Sequence, residues 1–174
     1  MNAFNVAIGL INPKNPINVG AVMRAAGCYQ VDAIFYTGQR FERAAKFRSD
    51  TKRVSSKIAL TGVATLLEKV PKNVAIVCVE LVEGATPLPE FQHPEKAIYI
   101  FGPEDGTISQ SLVNKADAVV YIPTIGCMNL AATVNVVLYD RLAKFGQNLA
   151  SDELIRESRD TNNNVKIATY SEHF

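Results

Sequence analysis

The sequence is poor in the residues that most often carry metals, disulfides or nucleophilic catalysis. Its three cysteines (Cys28, Cys78 and Cys127) are an odd number at wide spacings, which argues against a disulfide framework. His93 and His173 are the only histidines, and neither lies near a cysteine pair. A zinc site is therefore not expected, and a Ser-His-Asp or Cys-His nucleophile system has little to draw on. No apolar run approaches the roughly 18 residues that a membrane helix needs. The apolar stretch 6–11 is short and follows no cationic residue, so a signal-peptide pattern is missing. Neither GxGxxG nor GxxxxGK[ST] occurs, which disfavours a dinucleotide dehydrogenase and a P-loop NTPase. The net charge of +1 gives no global sign of nucleic-acid binding, so any basic patch must be local. A cytoplasmic setting, with no metal and no membrane, is the expectation.

What is present is alternation. A chain of 174 residues sets a prior of one domain and can bury about 70% of its unfolded surface. Residues 4–11 read as a buried strand, and 18–30 as a helix with Val19, Val22, Met23 and Ala26 along one side. A second strand at 32–37 leads into a polar, basic stretch at 39–57. Residues 61–69 read as helical, 73–81 as a strand, and 84–89 as a Gly/Pro-rich connection. Strands at 96–101 and 118–122, a helix at 109–115 and a long helix at 129–145 complete the pattern. Strands separated by helices predict an α/β domain over 1–150, with a mostly parallel sheet covered on both faces. Residues 151–174 read as a tail, partly helical and then frayed.

Three constellations are candidates for chemistry. The first is Asn15-Pro16-Ile17-Asn18-Val19-Gly20-Ala21-Val22-Met23-Arg24, where a strand gives way to a helix and ligands of α/β sheets bind. Taken alone, Asn18 is equally a helix cap, Gly20 a packing residue and Arg24 a solvated charge. The second is Tyr99-Ile100-Phe101-Gly102-Pro103-Glu104-Asp105-Gly106, a strand running into a turn. It is a plain loop as readily as a place where backbone approaches a ligand. The third runs from Val120 through Ile122, Pro123, Thr124, Cys127 and Met128 to Asn129 and Leu130. The helix it enters is apolar nearly all round, so it is either central to the core or also meets a second subunit.

In this order and spacing, the three motifs resemble those of the SPOUT superfamily of knotted methyltransferases, in its SpoU/TrmH-type branch of RNA ribose 2′-O-methyltransferases. Asn18, Gly20 and Arg24 match the first family motif. Gly102 and Glu104 match the second, with Gly106 one residue early. Ile122, Pro123, Asn129 and Leu130 match the third. The resemblance covers residues 4–146. It implies a C-terminal trefoil knot, S-adenosylmethionine as cofactor, and a homodimer formed through the first and last core helices. It places the cofactor against Val79, Leu81, Gly102, Ile122, Thr124, Cys127, Met128 and Leu130. Arg24, Asn18, Glu104 and Asn129 become the candidate catalytic and organising residues, with Arg24 either a general base or a charged phosphate anchor. Two departures stand out. Cys127 and Ala131 occupy positions where the family usually carries hydroxyls, and the loop from Pro123 to Asn129 is short.

RNA must also be gripped. Residues 39–57 hold Arg40, Arg43, Lys46, Arg48, Lys52, Arg53 and Lys57 against Glu42 and Asp50, a net of +5, while the rest of the chain carries −4. Arg40, Arg43, Arg48, Lys52 and Arg53 are the candidate phosphate contacts, with Phe41 and Phe47 available for stacking or for inward packing. A charge run is also often a solvated face. The reading that joins these features is an enzyme methylating a ribose 2′-hydroxyl in RNA, tRNA before rRNA. A non-catalytic RNA-binding relative and a small-molecule enzyme are the alternatives.

Overall fold

The computed structural model describes residues 4–46, 58–145, 151–159 and 164–167. Seven parallel strands form one sheet: β1 (Val6–Leu10), β2 (Ala33–Tyr36), β3 (Leu60–Gly62), β4 (Ala75–Val79), β5 (Thr86–Pro87), β6 (Ala97–Phe101) and β7 (Ala118–Tyr121). Their order across the sheet is β3-β2-β1-β6-β4-β7-β5. The helices are α1 (Pro16–Cys28), α2 (Arg40–Lys46), α3 (Gln110–Val113), α4 (Leu130–Lys144) and α5 (Asp152–Ser158). No helix among the described residues is long and apolar enough to cross a membrane.

Side chains alternate across the strands and feed two cores, as a sheet covered on both faces requires. In β6, Ala97, Tyr99 and Phe101 join the larger core, together with Val19 and Val22 of α1 and Val134, Val137 and Leu138 of α4. Ile98 and Ile100 point the other way, toward Leu66, Cys78 and Ile108. All five β6 residues are buried, which accounts for their unbroken apolar run. The covered parallel sheet expected from the alternation is therefore what forms.

Two expectations are corrected. Helix α1 starts at Pro16, and its N-cap is Asn15, whose side chain accepts a hydrogen bond from the Ile17 N–H at 2.9 Å. Proline at the first helical position has its φ already set and lacks an N–H that would go unpaired. Asn18 thus sits within the first turn, and Arg24 lies about two and a half turns along α1. Residues 61–69 are not a helix. β3 pairs in parallel with β2, and only a 3-10 turn at Leu66–Lys69 follows it. Thr61 and Val63 are β-branched, and Pro71 soon ends any helical continuation.

Candidate active site

The carboxyl ends of three neighbouring strands, β6, β4 and β7, open into one cleft. Its cavity volume is about 170 Å³, with further space open to solvent. Every residue expected against the cofactor lies on its wall: Val79 ending β4 and Leu81 beyond it, Gly102 beyond β6, Ile122, Thr124, Cys127 and Met128 between β7 and α4, and Leu130 opening α4. Glu104 lines it as well. The loop after β7 turns at Gly126, whose φ of +86° side chains rarely adopt. Thr124 Oγ1 donates to the Gly126 carbonyl at 3.1 Å and closes that turn.

Asn129 caps α4, its side-chain oxygen accepting from the Ala132 N–H at 2.8 Å. The Thr133 hydroxyl donates to the Asn129 carbonyl at 2.9 Å and itself reaches the cleft wall. Ala131, where a hydroxyl was expected, is buried in the larger core and does not line the cleft.

Glu104 braces the second motif against the first. It accepts from the backbone N–H of Lys14 at 2.9 Å and of Asn15 at 3.2 Å, and from the Asn18 side-chain amide at 3.3 Å. Burial alone would raise its carboxyl, but these donors and its own backbone N–H outweigh burial and hold it below the usual carboxylate range. Arg24 is not part of this arrangement. It is exposed on α1, does not line the cleft, and forms no ion pair with Glu104. The Glu104 carboxylate is thus tied to backbone and to Asn18, not to Arg24. Asn18 and Glu104 meet; Arg24 and Asn129 stand apart from them.

The basic segment divides. Arg40 faces inward, donating through Nη1 to both Asp105 oxygens at 2.8 and 2.9 Å and through Nε and Nη2 to the Asn12 carbonyl at 3.0 and 2.6 Å. Its bond to Asp105 holds that carboxyl below its ordinary range. Arg43 is exposed, with one donor on Gln39. Phe41 packs edge-on against Tyr36, with centroids 5.4 Å apart, and so takes the inward role. Arg48, Lys52, Arg53 and Phe47 lie outside the described residues. Among the described residues, no group of three or more His, Cys, Asp and Glu side chains is placed to hold a metal ion. The motifs did not point to Glu80 or Thr133, which also line the cleft. A charged residue immediately after a strand's carboxyl end was the signal available for Glu80.

A parallel α/β sheet with its pocket over adjacent strand ends defines a ligand-binding protein of the doubly covered α/β class. Residues 5–139 match the SpoU rRNA methylase family, and the chain belongs to that family. No curated protein matches the chain in sequence. Among solved structures it is similar to the A. aeolicus TrmH/SpoU tRNA modifying enzyme, with a TM-score of 0.65 and 16% identity over 90% of this chain and 86% of that one. It is also similar to the AdoMet-bound rRNA methyltransferase from Sinorhizobium meliloti, with a TM-score of 0.62 and 19% identity. That match covers 80% of this chain but only 56% of the other. A structure described as concerning 2-OH methylation of C/U34 on tRNA has a TM-score of 0.63 and 20% identity, over 83% of this chain and 93% of that one. These likenesses establish the fold.

Proposed function

We propose that this chain is an S-adenosylmethionine-dependent methyltransferase that modifies the 2′-hydroxyl of a ribose in tRNA, and that it works as a homodimer. The observation that carries this reading is the cleft itself, where the second and third motifs meet at the strand ends together with all eight residues expected against the cofactor. The walls suit such a cofactor. Val79, Phe101, Ile122 and Leu130 offer apolar surface for a base, and Glu80 and Thr133 offer polar groups. Gly102 leaves backbone uncovered, for a Cβ there would stand 2.9 Å from Glu80 Oε2. Bound there, the cofactor supplies a methyl group already activated on a sulfonium. The preference for tRNA rests on size. The chain spans most of the A. aeolicus tRNA enzyme and of the C/U34 structure, but little more than half of the S. meliloti rRNA enzyme.

The protein's own part is mainly geometric, since holding reactants in line supplies much of the rate enhancement in such transfers. Glu104 fixes the loop before α1 to the loop after β6, and Asn129 fixes the start of α4. Arg24 acts as a cation and not as a base. It binds the phosphate beside the target ribose and stabilises the developing alkoxide, while the proton leaves to water.

The test is transfer of a labelled methyl group from S-adenosylmethionine to tRNA, followed by mapping of the labelled nucleotide. Arg24→Ala is expected to reduce transfer by about a hundredfold or more, the scale of losing one charge-stabilising donor, with cofactor affinity within a few-fold of the parent. Arg24→Lys keeps partial activity, because charge survives while the planar fork is lost. RNA binding without any labelled product would instead favour the non-catalytic relative, a reading that Cys127 in place of a hydroxyl keeps open. Near-normal transfer by Arg24→Ala at saturating RNA would remove Arg24 from the mechanism.

A further inference from the structure

Glu80 is the first residue beyond β4, and its backbone N–H donates to the Val120 carbonyl at 3.0 Å, which extends the pairing with β7. Its carboxylate is committed at both ends. Oε1 accepts from the Leu81 N–H at 3.0 Å, and Oε2 accepts from the Ile108 N–H at 3.0 Å, 28 residues along the chain. The side chain therefore ties the end of β4 to the far end of the loop that follows β6. Gly102 lies at the same spot, where an added Cβ would come within 2.9 Å of Oε2 and 3.4 Å of Ile108 Cγ1. Ile108 is itself only 5% exposed and belongs to the core on the opposite face, so the strap ends on a fixed point. Glu80 and Gly102 both line the cleft.

We infer that Glu80 is a positioning residue for the cofactor site, its carboxylate holding the loops after β4 and β6 at the separation that the bound cofactor requires. This rests on the reading of the cleft as the S-adenosylmethionine site. A carboxylate fits the task because it accepts at both oxygens, and hydrogen bonds to an ionised acceptor are stronger than neutral ones. Glutamine would turn an NH2 toward one of the two N–H donors and lose that bond. Alanine loses both. Gly102 is the matching half of the arrangement, since a methyl group there displaces the carboxylate from Ile108. The strand ladder does not depend on either side chain, so the effect belongs to the loops.

The decisive experiment is a cycle of substitutions in the full chain, read by calorimetric titration with S-adenosylmethionine and by amide hydrogen exchange. Glu80→Ala is expected to weaken cofactor binding about tenfold, the low end for hydrogen bonds to a charged group at a partly exposed site. Glu80→Gln should lose less, and tRNA affinity should stay within about twofold because the strap touches only the cofactor loops. In steady-state transfer, the KM for the cofactor should rise while kcat at saturation changes little. Gly102→Ala alone should cost about as much as Glu80→Ala, and the double variant should be no worse than either, where independent effects would multiply to roughly a hundredfold. Exchange at Ile108 should accelerate in Glu80→Ala and in Gly102→Ala. Unchanged cofactor affinity in Glu80→Ala, or a multiplicative double variant, would overturn the inference. Should the unsubstituted protein bind no S-adenosylmethionine, the cofactor reading fails by itself. Exchange at Ile108 then decides the strap alone, unchanged exchange in Glu80→Ala refuting it.

Discussion

Glu104 accepts three hydrogen bonds, one from Lys14 and two from the first motif, and this decides what its charge can do. A carboxylate held below its usual range by donors is a poor proton acceptor near neutrality, so its part is to brace and not to take the ribose proton. His93 shows the opposite case, a titratable group kept neutral by burial. Its side chain has no exposed surface, with Nδ1 2.7 Å from the Tyr99 hydroxyl and Nε2 2.8 Å from Asp140 Oδ2. The neutral ring suits these partners. Nε2–H donates to Asp140, and Nδ1 accepts from Tyr99, whose oxygen also accepts from Arg141 Nη1 at 3.1 Å. Burial lowers the His93 pKa below 6.5, outweighing the upward pull of Asp140. Unfolding therefore lets His93 take up a proton that the folded protein refuses, and stability falls as pH drops below that value. Urea titrations at pH 7.5 and 5.5 should differ by at most about 1.4 kcal/mol from this residue, the lower pH being less stable. His93→Gln, which keeps polar atoms but cannot titrate, should lose that difference. If the variant retains the full pH dependence, His93 is not its source.

At the scale of elements, legibility followed the strength of the local pattern. β6 and α4 were readable within a residue or two because burial on several sides demands long apolar runs. The start of α1 was misplaced by three residues, since Asn15 and Asn18 are both good caps and Pro16 decided between them. β3 was missed because three residues carry no period, and an edge strand is chosen by its neighbour β2 and not by its own pattern. The cleft was legible only as an ordered set of weak motifs, since the sequence did not reveal which side chains would meet across 86 or 90 residues. The implied knot is a property of loop paths, on which periods of two and 3.6 are silent. The pairing of Arg40 in α2 was illegible for the same reason. Its partner Asp105 lies 65 residues away, and nothing local marks the pair. Of the described cations in the basic stretch, Arg40 is paired with Asp105 and Arg43 is exposed. Changing Arg43, Arg48 and Arg53 together to Ala should weaken tRNA binding and flatten its salt dependence by about one unit for each phosphate no longer neutralised. Cofactor affinity should hold. Filter binding across a salt series would read this, and an unchanged slope would leave the stretch a solvated face.

For the whole molecule, the open question is what meets the outer face of α1 and α4. The inner faces are accounted for, since Val19, Val22, Ala25 and Ala26 pack with Val134, Val137 and Leu138 in the larger core. Outward stand Ile17 at 55% exposure, Gly20, Ala21 and Cys28, with Tyr139 of α4 at 63%. Nothing lies within 4 Å of where a Gly20 side chain would begin, so backbone is open to a close neighbour there. Small and apolar residues at spacings of three and four form one stripe along a helix. A twofold axis through that stripe would pair it with itself and close the assembly at two copies. A stable pair of this kind buries about 800 Å² on each partner, which needs both helices and not α1 alone. Light scattering at micromolar concentration should then give twice the 19.0 kDa of one chain. Ala21→Glu would set two like charges across the axis, a clash costing several kcal/mol, and should raise the dimer dissociation constant by about a hundredfold or more. Its circular dichroism should match the parent, because Ala21 is exposed and its replacement leaves the core packing intact. A monomeric parent protein would exclude the dimer, and an Ala21→Glu protein that still associates would exclude this face.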